Sequence, residues 1–175
     1  KIIIGSGSQL RGLGSATILT YTGTDSQLRT VNSRMLVENI TLNAPNGTIF
    51  ECIGDGSGNA FHRFNTYSVT VLNCVKILNS VDAGAQVFDL IGVINVSGLT
   101  ALSFSGSIPA LVYSFNRFAI FGMDENSTAF DFGTSVADEI EMTDIIVTGH
   151  PSTTAISGAL DSGNVTEGNY ANVTD

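Results

Sequence analysis

Apolar and polar residues alternate along much of this chain, and the alternation repeats one phrase three times. Phe50-Glu51-Cys52-Ile53-Gly54, Phe88-Asp89-Leu90-Ile91-Gly92 and Phe130-Asp131-Phe132-Gly133 each set an acid among apolar residues and close on glycine. The copies stand 38 and then 42 residues apart. Period two is the strand period, because successive side chains of an extended chain point to opposite faces. Phe50 and Cys52, Phe88 and Leu90, and Phe130 and Phe132 are therefore expected to face inward, with Glu51, Asp89 and Asp131 facing water. The closing glycine is expected to supply the positive φ of a corner.

A second spacing runs through the same region. Ile40 and Phe50, Ile77 and Val87, Leu102 and Val112, Ile120 and Phe130, and Ile146 and Ile156 each stand ten apart. Turn residues fill the gaps: Pro45-Asn46-Gly47, Asp82-Ala83-Gly84, Ser105-Gly106-Ser107, Asp124-Glu125-Asn126 and His150-Pro151-Ser152. With an extra strand around residues 67–71, these starts imply a unit of roughly 18–26 residues. Short strands with frequent turns also suit a sandwich or barrel. Neither gives a reason for near-copies of one phrase. A solenoid does, since each coil lies over the last and one position meets the same environment repeatedly. The three phrases are accordingly expected to stack into apolar columns.

Two other patterns change little. "SVADEIEM" (135–142) has room for about two helical turns as a connector. Leu90 to Asn116 contains no charged residue and is long enough to cross a bilayer. Its "LSFSGS" alternation and its Asn, Ser and Pro residues read as strands instead.

Composition supports a β surface. Of 175 residues only 13% are charged, 19 are glycine and none is tryptophan, and Asn, Ser and Thr supply much of the polarity. The length fits one domain with a real core. A formal charge of −9 argues against nucleic acid and anionic membranes, both of which require clustered Lys and Arg. A neutral glycan, or an acidic one bridged by a cation, is compatible with it. Cys52 and Cys74 lack metal-site spacing and read as free, half-buried thiols, with a disulfide as the alternative.

The ends carry a resemblance. "KIIIGSGSQLRGLGSATILTYTG" (1–23) resembles the opening coil of pectin-lyase-like right-handed parallel β-helices, and "MLVENITLNAPNG" (35–47) resembles a first full coil. The resemblance implies an all-β, single-stranded right-handed parallel β-helix with three sheets in cross-section. It divides the single domain 1–175 into an opening or cap region (1–34), regular coils (35–160) and a further coil or linker (161–175). Because solenoid ends need covering, the strand-like tail leads us to expect a longer chain or a docked partner. Low charge with abundant Asn, Ser, Thr and Gly looks like the phage tail spike and tail fibre type. That likeness implies a homotrimer in the virion, with other virion proteins and host-surface polysaccharide as partners, no nucleic acid and no membrane insertion. Scarce charge suits lateral association, since little ionic surface must be desolvated.

Candidate chemistry is sparse. Glycosidases place two carboxylates roughly 5–10 Å apart across the scissile bond. Coils stack about 4.8 Å apart, so Asp89 and Asp131 are the candidate pair if both face outward in one ladder. Similarity to pectate lyases would suggest Asp55, Asp89 and Asp131 as calcium ligands with Arg63 or Arg117 as base, but no motif matches residue by residue and no role is transferred. His62 and Arg63, with Asp55, lie in the polar stretch "GDGSGNAFHRFNTYS" (54–68) and are candidates to bind a sugar or an anion. "GDGSG" lacks the Lys-Ser/Thr ending of a phosphate loop. Asn-X-Ser/Thr triplets occur at Asn39, Asn46, Asn95, Asn126, Asn164 and Asn172. The expectation is a structural and receptor-recognition piece of a phage appendage, without evident catalysis. A polysaccharide lyase or glycoside hydrolase, including a depolymerase tailspike, is the alternative. A secreted or cell-surface β-helical filament or adhesin is a further one.

Overall fold

In the computed structural model the chain is a parallel β-solenoid of about five turns. The described residues are all but 5–6, 56, 58, 60–61, 107–109, 111, 134–139, 150–151, 158–164, 167–169 and 175; at 4, 155–156, 165–166 and 170–174 only the backbone is described. The strands are β1 (Ile2–Ile4), β2 (Ser8–Arg11), β3 (Ile18–Thr20), β4 (Ser26–Val31), β5 (Arg34–Ile53), β6 (Arg63–Val81), β7 (Ala85–Val96), β8 (Thr100–Ser105), β9 (Val112–Ile120), β10 (Thr128–Asp131), β11 (Ile140–Thr148), β12 (Thr154–Ser157), β13 (Val165–Thr166) and β14 (Tyr170–Thr174). Among the described residues there is no helix, and every strand pair is parallel.

The register divides each coil into three walls. On the first, β2 lies over the start of β5, followed by the starts of β6, β7, β9 and β11 and by β13. The second runs from β3 through the middle of β5 and the later parts of β6, β7, β9 and β11 to β14. The third stacks β1, β4, the ends of β5 and β6, β8, β10 and β12. Down this third wall Ile2, Leu28, Phe50, Leu78, Leu102, Phe130 and Ile156 are successive partners, so a coil takes 22–28 residues. That is longer than the expected 18–26. The ten-residue spacing misled because Val87, Val112 and Ile146 are only half-buried, whereas their neighbours Phe88, Tyr113 and Val147 face the core.

One corner is built the same way in five coils. Asn39, Ser68, Leu90, Arg117 and Asp144 are in register between the first and second walls, all at φ between 50° and 54°. A single left-handed residue shifts the phase of alternation by one. Glu38 thus sits on the outer surface while Ile40, two residues on, is buried; Asp89 and Ile91 repeat the arrangement. Asn and Asp tolerate this conformation, but a side chain such as Leu or Arg costs roughly 1–2 kcal/mol there. The ladders on both sides must offset that cost. Leu90, expected inside, occupies this corner and is 39% exposed.

The three phrases do not share a column. Phe50 and Phe130 belong to the third-wall column Leu28–Phe50–Leu78–Leu102–Phe130, whereas Phe88 belongs to the first-wall column Val37–Thr66–Phe88–Phe115–Met142. Unequal coils explain this, since a near-constant offset lands on different walls when the coil length varies. The rings nevertheless meet across the interior, with centroids 5.7 Å apart for Phe50–Phe88, 5.7 Å for Phe88–Phe115 and 5.2 Å for Phe115–Phe130. Each such pair adds about 0.5–1.5 kcal/mol to the burial itself. Of the closing glycines, only Gly133 has a positive φ, at 53°. Gly54 is required for another reason, because a Cβ there would strike the Asp82 carbonyl oxygen. A Cβ on Gly92 would meet nothing within 4 Å.

Two further expectations resolve here. Ile140–Met142 open strand β11 rather than a helix, and 135–139 lie outside the described residues. Leu90–Asn116 contributes to β7, β8 and β9. No helix of the described chain is long and apolar enough to cross a membrane.

Candidate functional site

Outward-facing residues of the first wall form three columns, because alternate positions on each strand point to water. Arg11, Glu38, Tyr67, Asp89, Asn116 and Thr143 make the column beside the left-handed corner. The middle column runs Gln9, Leu36, Asn65, Val87, Ser114 and Glu141. In the remaining column Arg34 lies directly over Arg63.

The corner column is charge-matched. Arg117 Nη2 donates to both Asp89 oxygens, at 2.8 and 2.9 Å, and its Nε reaches Oδ1 at 3.2 Å. Asn116 Nδ2 donates to the same Oδ1 at 3.0 Å. The carboxylate beside it, with Tyr67 near, raises the Arg117 pKa above the ordinary guanidinium value. One coil group higher, Glu38 accepts from Gln9 Nε2 at 2.8 Å and has Arg11 Nε at 3.1 Å.

Asp131 stands elsewhere. It is on the outer surface of the third wall, opposite Ser103 and Ser157, and its Oδ1 accepts from Gly133 N at 3.0 Å and Ser157 Oγ at 3.2 Å. That wall carries its own ladder of Arg29, Glu51, Asn79, Ser103, Asp131 and Ser157. Glu51 there lies 3.2 Å from Arg29 Nε and accepts from Ser26 Oγ at 2.8 Å. Lys76 donates to Ser103 Oγ at 3.1 Å; partial burial depresses its pKa, opposed by the Asp131 charge. Asp89 and Asp131 therefore occupy different walls, and the structure does not bring them together as a carboxylate pair. Asp55 follows β5 at the corner leading to the first wall, apart from both. Among the described residues no group of three His, Cys, Asp or Glu gathers to hold a metal such as calcium.

His62 and Arg63 also part company. His62 is buried, with Nδ1 3.4 Å from Asp55 Oδ1. Hydrogen bonds from Ser57, side chain and then backbone, hold the Asp55 carboxyl below the usual carboxylate range. Arg63 opens β6 and turns to the outer surface, as the next residue of an extended chain must. Its Nε is buried without a hydrogen-bond partner, and desolvation followed by the Arg34 charge lowers its pKa. Like charges directly opposite one another on neighbouring strands are destabilising.

A groove of about 230 Å³ opens beside this pair, lined by Gly7, Ser8, Gln9, Arg34, Leu36 and Asn65. Its cause is local. Extending the β2–β5 register by one residue sets Gly7 over Arg34, and Gly7 has no side chain to cover the guanidinium. A Cβ on Gly7 would meet nothing within 4 Å. Asn65 Oδ1 is buried on this wall without a hydrogen-bond donor, and Tyr67, two residues along the strand, is 45% exposed. Together they form a surface of guanidinium, amide, aliphatic and phenol groups. Such a set can hydrogen-bond hydroxyls and pair with an anion.

Sequence reasoning singled out Arg63 but missed Gly7, Gln9, Arg34, Asn65 and Tyr67. The available signal was the strand around Tyr67–Val71, since laying Val69 over Ile40 also lays Arg63 under Arg34. Among the sequence triplets, Asn95 joins an exposed amide ladder: it donates to Asn73 at 3.5 Å, which donates to Asn43 at 3.2 Å. Asn39 occupies the corner, Asn46 and Asn126 are exposed, and Asn164 and the side chain of Asn172 lie outside the described residues, as does His150. Cys52 and Cys74 are free and buried. Burial pushes both thiols up, Cys74 to about 12.

No protein-family model, no curated protein and no solved structure matches this chain, so its own geometry carries the reading.

Proposed function

We propose that the chain is a structural and receptor-recognition segment of a phage appendage, a tail spike or tail fibre of the pectin-lyase-like kind, which binds host-surface glycan without cleaving it. The observation that carries this reading is the groove on the first wall. Amide, guanidinium and apolar groups converge there without a paired carboxylate to attack a glycosidic bond. Separation of Asp89 and Asp131 on different walls weighs against the hydrolase alternative, and the double hold of Arg117 on Asp89 makes it a poor nucleophile or base. Lateral association into a homotrimer would use exposed apolar residues near the second wall. Ile94 and Phe121, adjacent in neighbouring coils, are 52% and 54% exposed, with Val75 and Leu99 also exposed.

Two measurements test the proposal. Sedimentation mass should report a trimer, and a persistent monomer would remove the appendage argument. Incubation with bacterial capsule or lipopolysaccharide should show binding without release of reducing ends or unsaturated sugars. Any release of either product would overturn the non-catalytic reading, and turnover that survives Asp89→Asn and Asp131→Asn would place catalysis elsewhere.

A further inference from the structure

We infer that the solenoid stacks end to end, with the last coil of one copy docked on the first coil of the next. This contact is separate from glycan binding and uses the two axial ends rather than a wall. Among the described residues, β1, β2 and β3 at the upper end each pair only with a strand below them. At the lower end β12, β13 and β14 each pair only with a strand above. Each end therefore presents three open strand edges, one per wall, and such edges are templates for pairing with another chain. The wall order agrees as well. In chain order β12, β13 and β14 lie on the third, first and second walls, and so do β1, β2 and β3. A second copy set against the lower end continues the winding in phase, with β1 under β12, β2 under β13 and β3 under β14.

The upper end also has an unfinished core. Ile2, Leu10 and Leu19 head inward columns on the three walls and are only half-buried, whereas Leu28, Val37 and Leu42 directly beneath them are fully buried. One more coil would take that apolar surface out of water. Charge selects what supplies the coil. Residues 1–24 contain Lys1 and Arg11 and no acid, while ten Asp or Glu residues and no Lys or Arg follow Arg117. Arg11 faces Glu38 below it at 3.1 Å, yet its side chain remains 66% exposed. Head-to-tail docking sets the acidic end of one copy against the basic end of the next, whereas two like ends would set equal charges together. Such a contact is heterologous, and where the rotation does not close a ring it grows an open filament.

Sedimentation and electron microscopy of the 175-residue chain over a concentration series test this. Mass should rise with concentration without settling at one stoichiometry, in rods that lengthen at constant width. Tyr21 N donates to Asn43 O at 2.8 Å, so the neighbouring Thr20 N–H points the other way, to the open upper edge. Thr20→Pro deletes that donor while leaving the ladder to β5 in place. It should raise the concentration needed for rods by about ten-fold, the effect of one hydrogen bond. Arg11→Glu sets an acid against the acidic end and provides the same test should the proline variant fail to fold. Ile94→Lys, on the exposed apolar surface near the second wall, should leave lengthening unchanged. Rods that survive both end variants would overturn the inference. A fixed trimer at every concentration would overturn it, assign the upper edge to another occupant and leave the appendage reading standing. A fixed monomer would overturn both.

Discussion

Three arginines in this protein stand beside acids on neighbouring coils, and two stand over each other. Arg117 clamps Asp89, Arg29 faces Glu51 and Arg11 faces Glu38, each across one rung of a ladder. Arg34 and Arg63 share a rung with like charge, and Arg34 lines an open groove. The matched columns set opposite charges against each other, although the buried Arg29 Nε still lacks a hydrogen-bond partner. In the mismatched column two positive charges face each other, and the buried Arg63 Nε has no hydrogen-bond acceptor. In a stack where every residue meets its counterpart one coil away, matched columns favour one register, whereas a mismatch is locally unfavourable and marks a place where something else can bind.

That contrast assigns cohesion to the interior and selectivity to the outer surface, and both halves can be broken. The largest effect should come from inside. Phe115 touches Phe88, Phe104, Phe118 and Phe130, and Phe115→Ala should lower unfolding free energy by about 3–5 kcal/mol in urea titration. A loss no larger than that of a surface charge change would reverse the assignment.

Next comes the buried thiol. With Cys74 pushed from 9.0 to about 12, folded and unfolded states are both protonated below pH 9 and this contribution to stability is complete. Above pH 9 the unfolded thiol ionises first, so stability should fall by about 1.4 kcal/mol per pH unit until about pH 12. Subtracting the profile of Cys74→Ala isolates that slope, and coincident profiles would mean the thiol is not shielded.

Charge reversals should be weaker. Asp89→Lys removes the Arg117 partner and adds a like charge on an exposed surface, for a small loss that shrinks with salt. Arg34→Glu converts the mismatch into an opposite-charge rung and should raise stability by about 0.5 kcal/mol. Destabilisation by that variant would show that the two arginines are already compensated.

The solenoid was legible because its signal is periodic: acids alternate with aromatics, and glycine-rich turns recur. Assignment of residues to walls was not. Phe88 carries the same phrase as Phe50 and Phe130, yet coil lengths of 22–28 residues carry it to a different wall. Leu90 looks like a buried strand residue, and nothing in its chemistry announces a left-handed corner that only its four in-register neighbours reveal. Arg63 was visible as a candidate, but sequence adjacency paired it with His62. The partner that matters, Arg34, is 29 residues away and shares no motif with it. Side-chain identity shows which residues can act, whereas the coil register decides which of them meet.

The two edges of the first wall differ in one further way. At one edge five coils turn through a single left-handed residue. At the other, the connection ahead of it holds two residues before Arg34, nine before Arg63 and three before Ala85. Insertions at that second edge leave the stacked walls in place while altering the rim of the groove, so the contour presented to a ligand can diversify without redesign of the scaffold beneath it.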